Sequence, residues 1–327
     1  MSTAAPSLFL ERSLELSVGV RELPEPGPDE ALVRVEWAGL CGSDLHVMRT
    51  GAWVTGWPAT LGHEIFGRVE TGGGPLTPGT AVVADSRLPC GDCPACAVDP
   101  LTCGNVAFVG EARPGGFASH CVLPTSLLHP IPETLEGSTA VLAEPLAVVL
   151  HAIAQVNGTP ARAAILGHGP IGALVHAELR RRLPSVEVDV AEPAPLRAAL
   201  ARAFGAHSVS DAADLPAGAY DLVIDAAGFP GSLAHAVTRC ATGAQILLLA
   251  LSDHAVPVTP MDLVERRITV TGSNAFVDEL PAAIALLTAE GWRYDPVVTD
   301  AVALDELPAT ARRQLDRPDA VKVLVRP

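Results

Sequence analysis

The first third of the chain sets short hydrophobic runs between glycine- and proline-rich punctuation. Ala31 to Trp37, Phe66 to Glu70, Ala81 to Ala84 and His120 to Leu123 are alternating or β-branched runs, divided by turn signals such as PEPGPDE (24–30) and TGGGPLTPG (71–79). Short strands at this spacing predict a small antiparallel barrel or sandwich. From about Pro145 the period lengthens, and PLAVVLHAIAQV repeats at helical spacing up to the break at Asn157-Gly158. Apolar strands and amphipathic helices then alternate. Strands are predicted at Ala163 to Leu166, Val186 to Ala191, Leu222 to Asp225 and Ile246 to Leu251, and helices at Pro170 to Leu183, Pro195 to Phe204 and Gly231 to Cys240. Almost wholly apolar strands alternating with helices predict an α/β domain with a doubly wound parallel sheet. ITVTGSNAF (268–276) supplies its last strand, Asp278 to Glu290 another helix, and VKVLV (321–325) a strand that rejoins the first domain. The expected domains are 1–150 with 276–327, and 151–275.

Length and composition agree with two cores. The chain has 327 residues, of which 49% are hydrophobic, more than one compact core takes. A net charge of -15 argues against nucleic acid, whose phosphates need clustered cations. Lys322 is the chain's only lysine. Met1 to Leu10 has no cationic leader with an apolar core, and no uncharged run is long enough to cross a bilayer. The expectation is a cytoplasmic protein with neither membrane nor nucleic-acid partner. Four of the seven cysteines fall within fourteen residues, which in a reducing compartment marks a metal site more often than disulfides.

One chemical signal follows the first strand of the alternating half. Gly167-His168-Gly169-Pro170-Ile171-Gly172 fits GxGxxG, with AAIL before it as a buried strand and IGALVHAELRRRL after it as a helix. The glycines allow a tight turn and close approach of a pyrophosphate, and the helix N-terminus offers amides and a partial positive charge. Glu192 lies at the end of the next strand, where a carboxylate accepts the ribose hydroxyls and repels a 2′-phosphate, favouring NAD over NADP. Asp189 is a competing acid but falls mid-strand. Arg197 stands where it could meet a phosphate, and His168, unusual within a glycine fingerprint, is a candidate pyrophosphate contact.

A second signal is the stretch Trp37 to Gly67. Cys41, His63 and Glu64 offer sulfur, nitrogen and oxygen to a borderline-soft cation such as Zn²⁺, and Ser43 and His46 lie close to Cys41 in sequence. Cys90, Cys93, Cys96 and Cys103 form a third group, in which two successive CxxC spacings and a fourth thiolate suit a closed tetrahedral zinc. A redox CxxC would open a helix beside a strand, whereas Gly91, Pro94 and Pro100 mark an irregular lobe. Cys121 and Cys240 read as ordinary buried thiols.

CGSDLH, GHE, the cysteine lobe and the glycine fingerprint occur in this order, and the chain thereby resembles the zinc-dependent medium-chain dehydrogenase/reductase family from about Leu32 to Val325. Ala143-Glu144-Pro145-Leu146 makes it more similar to the sorbitol (polyol) and threonine dehydrogenase branch than to the ethanol-type enzymes. The resemblance implies a GroES-like zinc-binding catalytic domain beside a Rossmann domain. It also implies a catalytic zinc held by Cys41, His63 and either Glu64 or Glu144, and a structural zinc on the four lobe cysteines. Asp44 resembles the acid that orients the histidine ligand. Ser43 resembles the proton acceptor, relaying through the nicotinamide ribose to His46. The implied reaction oxidises a polyol, cyclitol or similar secondary alcohol to a ketone with NAD, in a homodimer or homotetramer. Amino alcohol or amino acid substrates and an inactive NAD(H)-binding protein are the alternatives. The loop from Cys96 to Cys103 is one residue shorter than is usual in the family. Trp53, Trp57, Phe108, Glu111 and Arg113 are candidate pocket residues.

Overall fold

The structure is a computed structural model that describes residues 3–72, 76–99, 102–252 and 254–327. Residues 73–75 of the TGGGPLTPG turn signal and Pro100 of the cysteine lobe lie outside the described residues. The chain divides into two compact units, Met1–Glu144 with Val277–Pro318 and Lys322–Pro327, and Pro145–Phe276 with Asp319–Val321.

The first unit is rich in strands. A hairpin of β1 (Thr3–Leu10) and β2 (Leu16–Leu23) comes first, followed by β3 (Glu30–Leu40), α1 (Gly42–Thr50), β4 (Glu64–Gly72) and β5 (Ala81–Ala84). The short β6 (Arg87–Leu88) and β7 (Ala107–Phe108) pair across the lobe, and β8 (His120–Pro124) and β9 (Leu128–Pro130) follow. The unit also holds α2 (Gly137–Ala140), α8 (Leu280–Glu290), β16 (Val298–Ala303), α9 (Leu307–Asp316) and β17 (Lys322–Arg326). Its main sheet runs β16-β17-β3-β4-β5-β9, with β8 also pairing β3. Every pairing is antiparallel except β16 with β17. The expected return of VKVLV to this unit is realised, since Val323 pairs with Leu40.

Register decides what this sheet can do. Gly39 pairs with Glu64, and β17 begins at Lys322 beside the end of β3. Three neighbouring strand ends therefore deliver Cys41, Glu64 and Lys322 to one place. Gly39 is required there, because a Cβ on it would lie 1.8 Å from Glu64 Oε2.

The second unit contains β10 (Arg162–Leu166), β11 (Glu187–Ala191), β12 (Ser208–Ser210), β13 (Tyr220–Asp225), β14 (Cys240–Leu248) and β15 (Thr269–Gly272). Between these strands run α4 (Pro170–Arg182), α5 (Pro195–Ala203), α6 (Ser232–Arg239) and α7 (Pro260–Arg266). The sheet order β12-β11-β10-β13-β14-β15 is parallel throughout, and the chain reverses direction across the sheet at β10. Ligands in such sheets sit at the carboxyl ends near that reversal, where the glycine loop lies. Strand and helix alternation comes out as predicted, but β14 starts six residues before Ile246. A bulge between Tyr220 and Leu222 and the positive φ of Gly243 (83°) carry it through a polar segment.

α3 (Ala143–Ala154) begins at the division between the units. Gly137–Ala154 is long and apolar enough to span a membrane by length and composition, but 72% of it is buried inside the structure, as in a core helix.

Candidate active site

Cys41 directly follows β3 and is the N-cap of α1, where its amide donates to Asp44 Oδ2 at 2.9 Å. Asp44 is 3% exposed, and its other oxygen accepts the Gly62 amide at 3.2 Å and lies 3.5 Å from His63 Nδ1. This one carboxylate fixes the loop on both sides and faces one imidazole nitrogen, leaving Nε2 for a metal. Burial opposes charge on His63, but Asp44 and then Cys41 outweigh it and raise its pKa well above the usual value. The Sγ of Cys41, a His63 nitrogen and a Glu64 carboxylate oxygen all lie within 4.8 Å of one another. A sulfur, a nitrogen and an oxygen at this separation fit Zn²⁺, whose bonds to them are about 2.0–2.3 Å.

The two acids left open as third ligand have different surroundings. Glu64 is fully buried, and both its oxygens accept hydrogen bonds from Lys322 Nζ at 2.7 Å. Lys322 Nζ also donates to the Leu40 carbonyl at 3.1 Å. Glu144 stands outside the close triad, and its Oε1 accepts from the Ser86 hydroxyl at 2.7 Å. Burial raises its pKa, with the neighbouring His63 charge opposing. Lys322 and Ser86 were not anticipated as parts of the site. The available signal was a sole lysine inside an apolar strand, which cannot be buried without a partner.

Ser43 and His46 are three residues apart on α1, a spacing that puts them on one helix face. The His46 ring stacks on Trp53 at 4.9 Å between centroids. Trp53 is 46% exposed and has a positive φ of 66°, a backbone region that costs a non-glycine residue about 1 kcal/mol or more.

The cysteine lobe forms a second candidate metal centre. Its sulfur separations are 3.4 Å (Cys93–Cys96), 3.4 Å (Cys90–Cys103), 3.7 Å (Cys90–Cys96) and 3.9 Å (Cys93–Cys103). A tetrahedron with Zn–S bonds of about 2.3 Å has edges of about 3.8 Å, so the four thiols fit a closed site. Cys121 and Cys240 are buried, and burial pushes each thiol up to about 12.

In the second unit the fingerprint residues sit between β10 and α4. A Cβ on Gly172 would lie 2.0 Å from the Gly167 carbonyl, and Gly167 has φ 88° against Ala227. A Cβ on Gly169 would meet nothing nearer than Arg197 Nη1 at 3.6 Å, so space for a ligand remains above it. Gly169 caps α4 without a side-chain bond, with Pro170 in the first turn followed by Ile171. Glu192 directly follows β11, and its oxygens accept the amides of His168 and Ala194, both at 2.8 Å. It is therefore also a brace for the loop. Arg197 donates Nε to the Ala320 carbonyl at 2.9 Å, with its guanidinium beside Gly169.

Two expectations about this unit are resolved. The His168 side chain is not exposed at the loop, as a pyrophosphate contact would require. Its ring is fully buried and points inward to His176 Nδ1 of α4 at 3.2 Å and to Phe204 at the C-terminal end of α5. Asp189 is mid-strand and fully buried, receiving Tyr220 Oη at 2.8 Å, Ser208 Oγ at 2.6 Å and Arg162 Nη2 at 2.7 Å. It is a structural acid.

Residues 27–133 match the model of the alcohol dehydrogenase GroES-like domain. D-altritol 5-dehydrogenase of Agrobacterium fabrum is 29% identical, over 95% of this chain and 96% of its own. Sorbitol dehydrogenase of Bacillus subtilis is 26% identical, over 97% of this chain and 96% of its own. Among solved structures, a Sinorhizobium meliloti protein described as a zinc-binding dehydrogenase bound to NADP aligns with TM-score 0.91 and 29% identity, over 99% of this chain and all of that one. RspB of Escherichia coli, complexed with NADH, aligns with TM-score 0.89 and 26% identity over 99% of both chains. The fold, the candidate ligand triad and the lobe agree with these relatives: residues 27–133 carry an alcohol dehydrogenase GroES-like domain, and over its whole length the chain is similar to zinc-binding and polyol dehydrogenases.

Proposed function

We propose that the chain reversibly oxidises a secondary alcohol of the polyol or cyclitol class to a ketone, with NAD as hydride acceptor. The observation that carries this reading is the cluster of Cys41, His63 and Glu64 within 4.8 Å, with Asp44 seated behind His63. Cys41, His63 and one of Glu64 or Glu144 would hold the catalytic zinc, and the lobe cysteines the structural one. When bound, the catalytic zinc supplies Lewis-acid polarisation of an alcohol oxygen, and the nicotinamide supplies the hydride acceptor.

The protein's own groups supply the rest. Asp44 holds His63 in one tautomer and orientation. The Ser43 hydroxyl takes the alcohol proton, and His46, on the same helix face, passes it toward solvent. Lys322 balances the charge of Glu64, so a buried carboxylate beside a thiolate is tolerated. Gly167 to Gly172 and the first amides of α4 receive the cofactor pyrophosphate.

Glu192 at the carboxyl edge of β11 supports NAD over NADP, since its charge opposes a 2′-phosphate. Titration of the protein's intrinsic fluorescence with NADH and NADPH tests this. Binding of NADH at least about 10-fold tighter is expected; tighter binding of NADPH would show that Arg197 and not Glu192 sets the choice.

A further inference from the structure

The first unit contains a cavity of about 210 Å³ between the loop around Trp57 to Thr60 and the loop from Gly110 to Pro114, with Arg21 on one wall. The backbone ties the region together, Thr55 N donating to the Glu111 carbonyl at 3.2 Å. Three charged side chains line the cavity, and two are already committed. Arg113 is ion-paired with Glu30. Arg21 Nη2 donates to the Pro58 carbonyl at 2.9 Å and to Thr60 Oγ1 at 3.2 Å, and its guanidinium lies 4.9 Å from the Phe9 ring. Glu111 differs from both. Among the described residues its carboxylate has no hydrogen-bond or ion-pair partner, although burial pushes its pKa up to about 7 and it senses the charges of His63 and Asp44.

A half-buried carboxylate with four free lone-pair positions is costly alone and is relieved by a donor. The loop that carries it lies against the backbone just before His63, since a Cβ on Gly110 would fall 3.1 Å from the Gly62 nitrogen and Gly116 N donates to the Gly62 carbonyl at 2.7 Å, so that unmet demand stands beside the reacting centre. We infer that Glu111 is a specificity residue of the alcohol site. It accepts a hydrogen bond from a second hydroxyl or an amino group on the substrate, so the enzyme selects polyhydric or amino alcohols over monohydric ones. The inference rests on the dehydrogenase reading above.

The test compares butane-2,3-diol, butan-2-ol and 3-aminobutan-2-ol with saturating NAD at about pH 9, where Glu111 is ionised. Wild type should prefer the diol or the amino alcohol to butan-2-ol. Glu111→Leu should lower kcat/KM for the preferred substrate by about 10- to 100-fold, mainly through KM, while butan-2-ol changes by less than about 3-fold. Glu111→Gln keeps an acceptor without the charge. It should retain most diol activity if a hydroxyl is the natural donor, and lose the amino alcohol if an ammonium is. Butan-2-ol turnover in each variant shows that the site is assembled. An unchanged diol to monoalcohol ratio in Glu111→Leu would overturn the role of Glu111 and leave the dehydrogenase reading standing. A wild type that oxidises none of the three would overturn that reading, and the role of Glu111 with it.

Discussion

Lys322 joins the end of β17 to the candidate metal site, and its energetics explain why this chain keeps a lysine there. Removing one partner of a buried ion pair costs about 3–5 kcal/mol, because the other charge is stranded; Glu64, bonded through both oxygens, would be that charge. A second buried pair makes stability depend on pH. An unfolded histidine titrates near 6.5, whereas burial pulls His168 down to about 4 and His176 to about 3. Both are neutral when folded, so the unfolded chain binds more protons between these values. Their contribution is complete above about pH 6.5 and is lost as the pH falls toward 4, with His168 alone accounting for about 3 kcal/mol. Urea unfolding of the wild type should weaken across this window, and His176→Leu should flatten the slope; equal slopes would contradict the role assigned to the pair. Individual residues were only partly legible in the sequence. Ligand types and spacing pointed to Cys41, His63 and the lobe cysteines, which the fold gathers into two clusters, but the inward turn of the His168 ring was not legible. No local pattern shows which way a side chain turns when backbone amides such as that of His168 are taken by a distant acid such as Glu192.

At the scale of elements, the glycine loop and the cysteine lobe were legible because backbone chemistry fixes them locally. Gly172 cannot carry a Cβ beneath the Gly167 carbonyl, and the lobe sulfurs fall at tetrahedral separations from one short stretch. The lobe should act as a staple more than as a reactant. Cys103→Ala is expected to lose one equivalent of zinc and at least about 2 kcal/mol of stability, while kcat per folded molecule changes little. Unchanged zinc by elemental analysis would refute this. The β1–β2 hairpin, α1 and α9 were not legible. In β2 the polar and apolar positions of LSVGVREL leave Val18 and Val20 exposed, so its alternation does not mark a core face. α1 opens with Gly42, Ser43 and Asp44, of which Ser and Asp favour caps and turns more than helix interiors, and it forms because Asp44 anchors its first turn.

The whole molecule combines two kinds of core, and the hydrophobic period changes near Pro145, where the chain passes from one unit to the other, six residues before the expected start of the second domain at 151. Asp319–Val321, three residues counted with the second unit, escaped notice, since Ala320 belongs there through its carbonyl, which accepts from Arg197. A tail crossing back for three residues leaves no periodicity to read. The first unit gathers the candidate metal ligands at converging strand ends, and the second offers a glycine-cradled helix N-terminus at the reversal of a parallel sheet; the proposed reaction draws on residues of each. The decisive measurement is reduction of NAD by a secondary polyol, followed by nicotinamide absorbance, for the zinc-loaded wild type, the same protein stripped of metal, and Cys41→Ser. Turnover should appear only in the zinc-loaded wild type and return when zinc is restored to the stripped protein, while all three bind NADH alike. Full turnover by the verified metal-free protein, or by Cys41→Ser, would contradict the account.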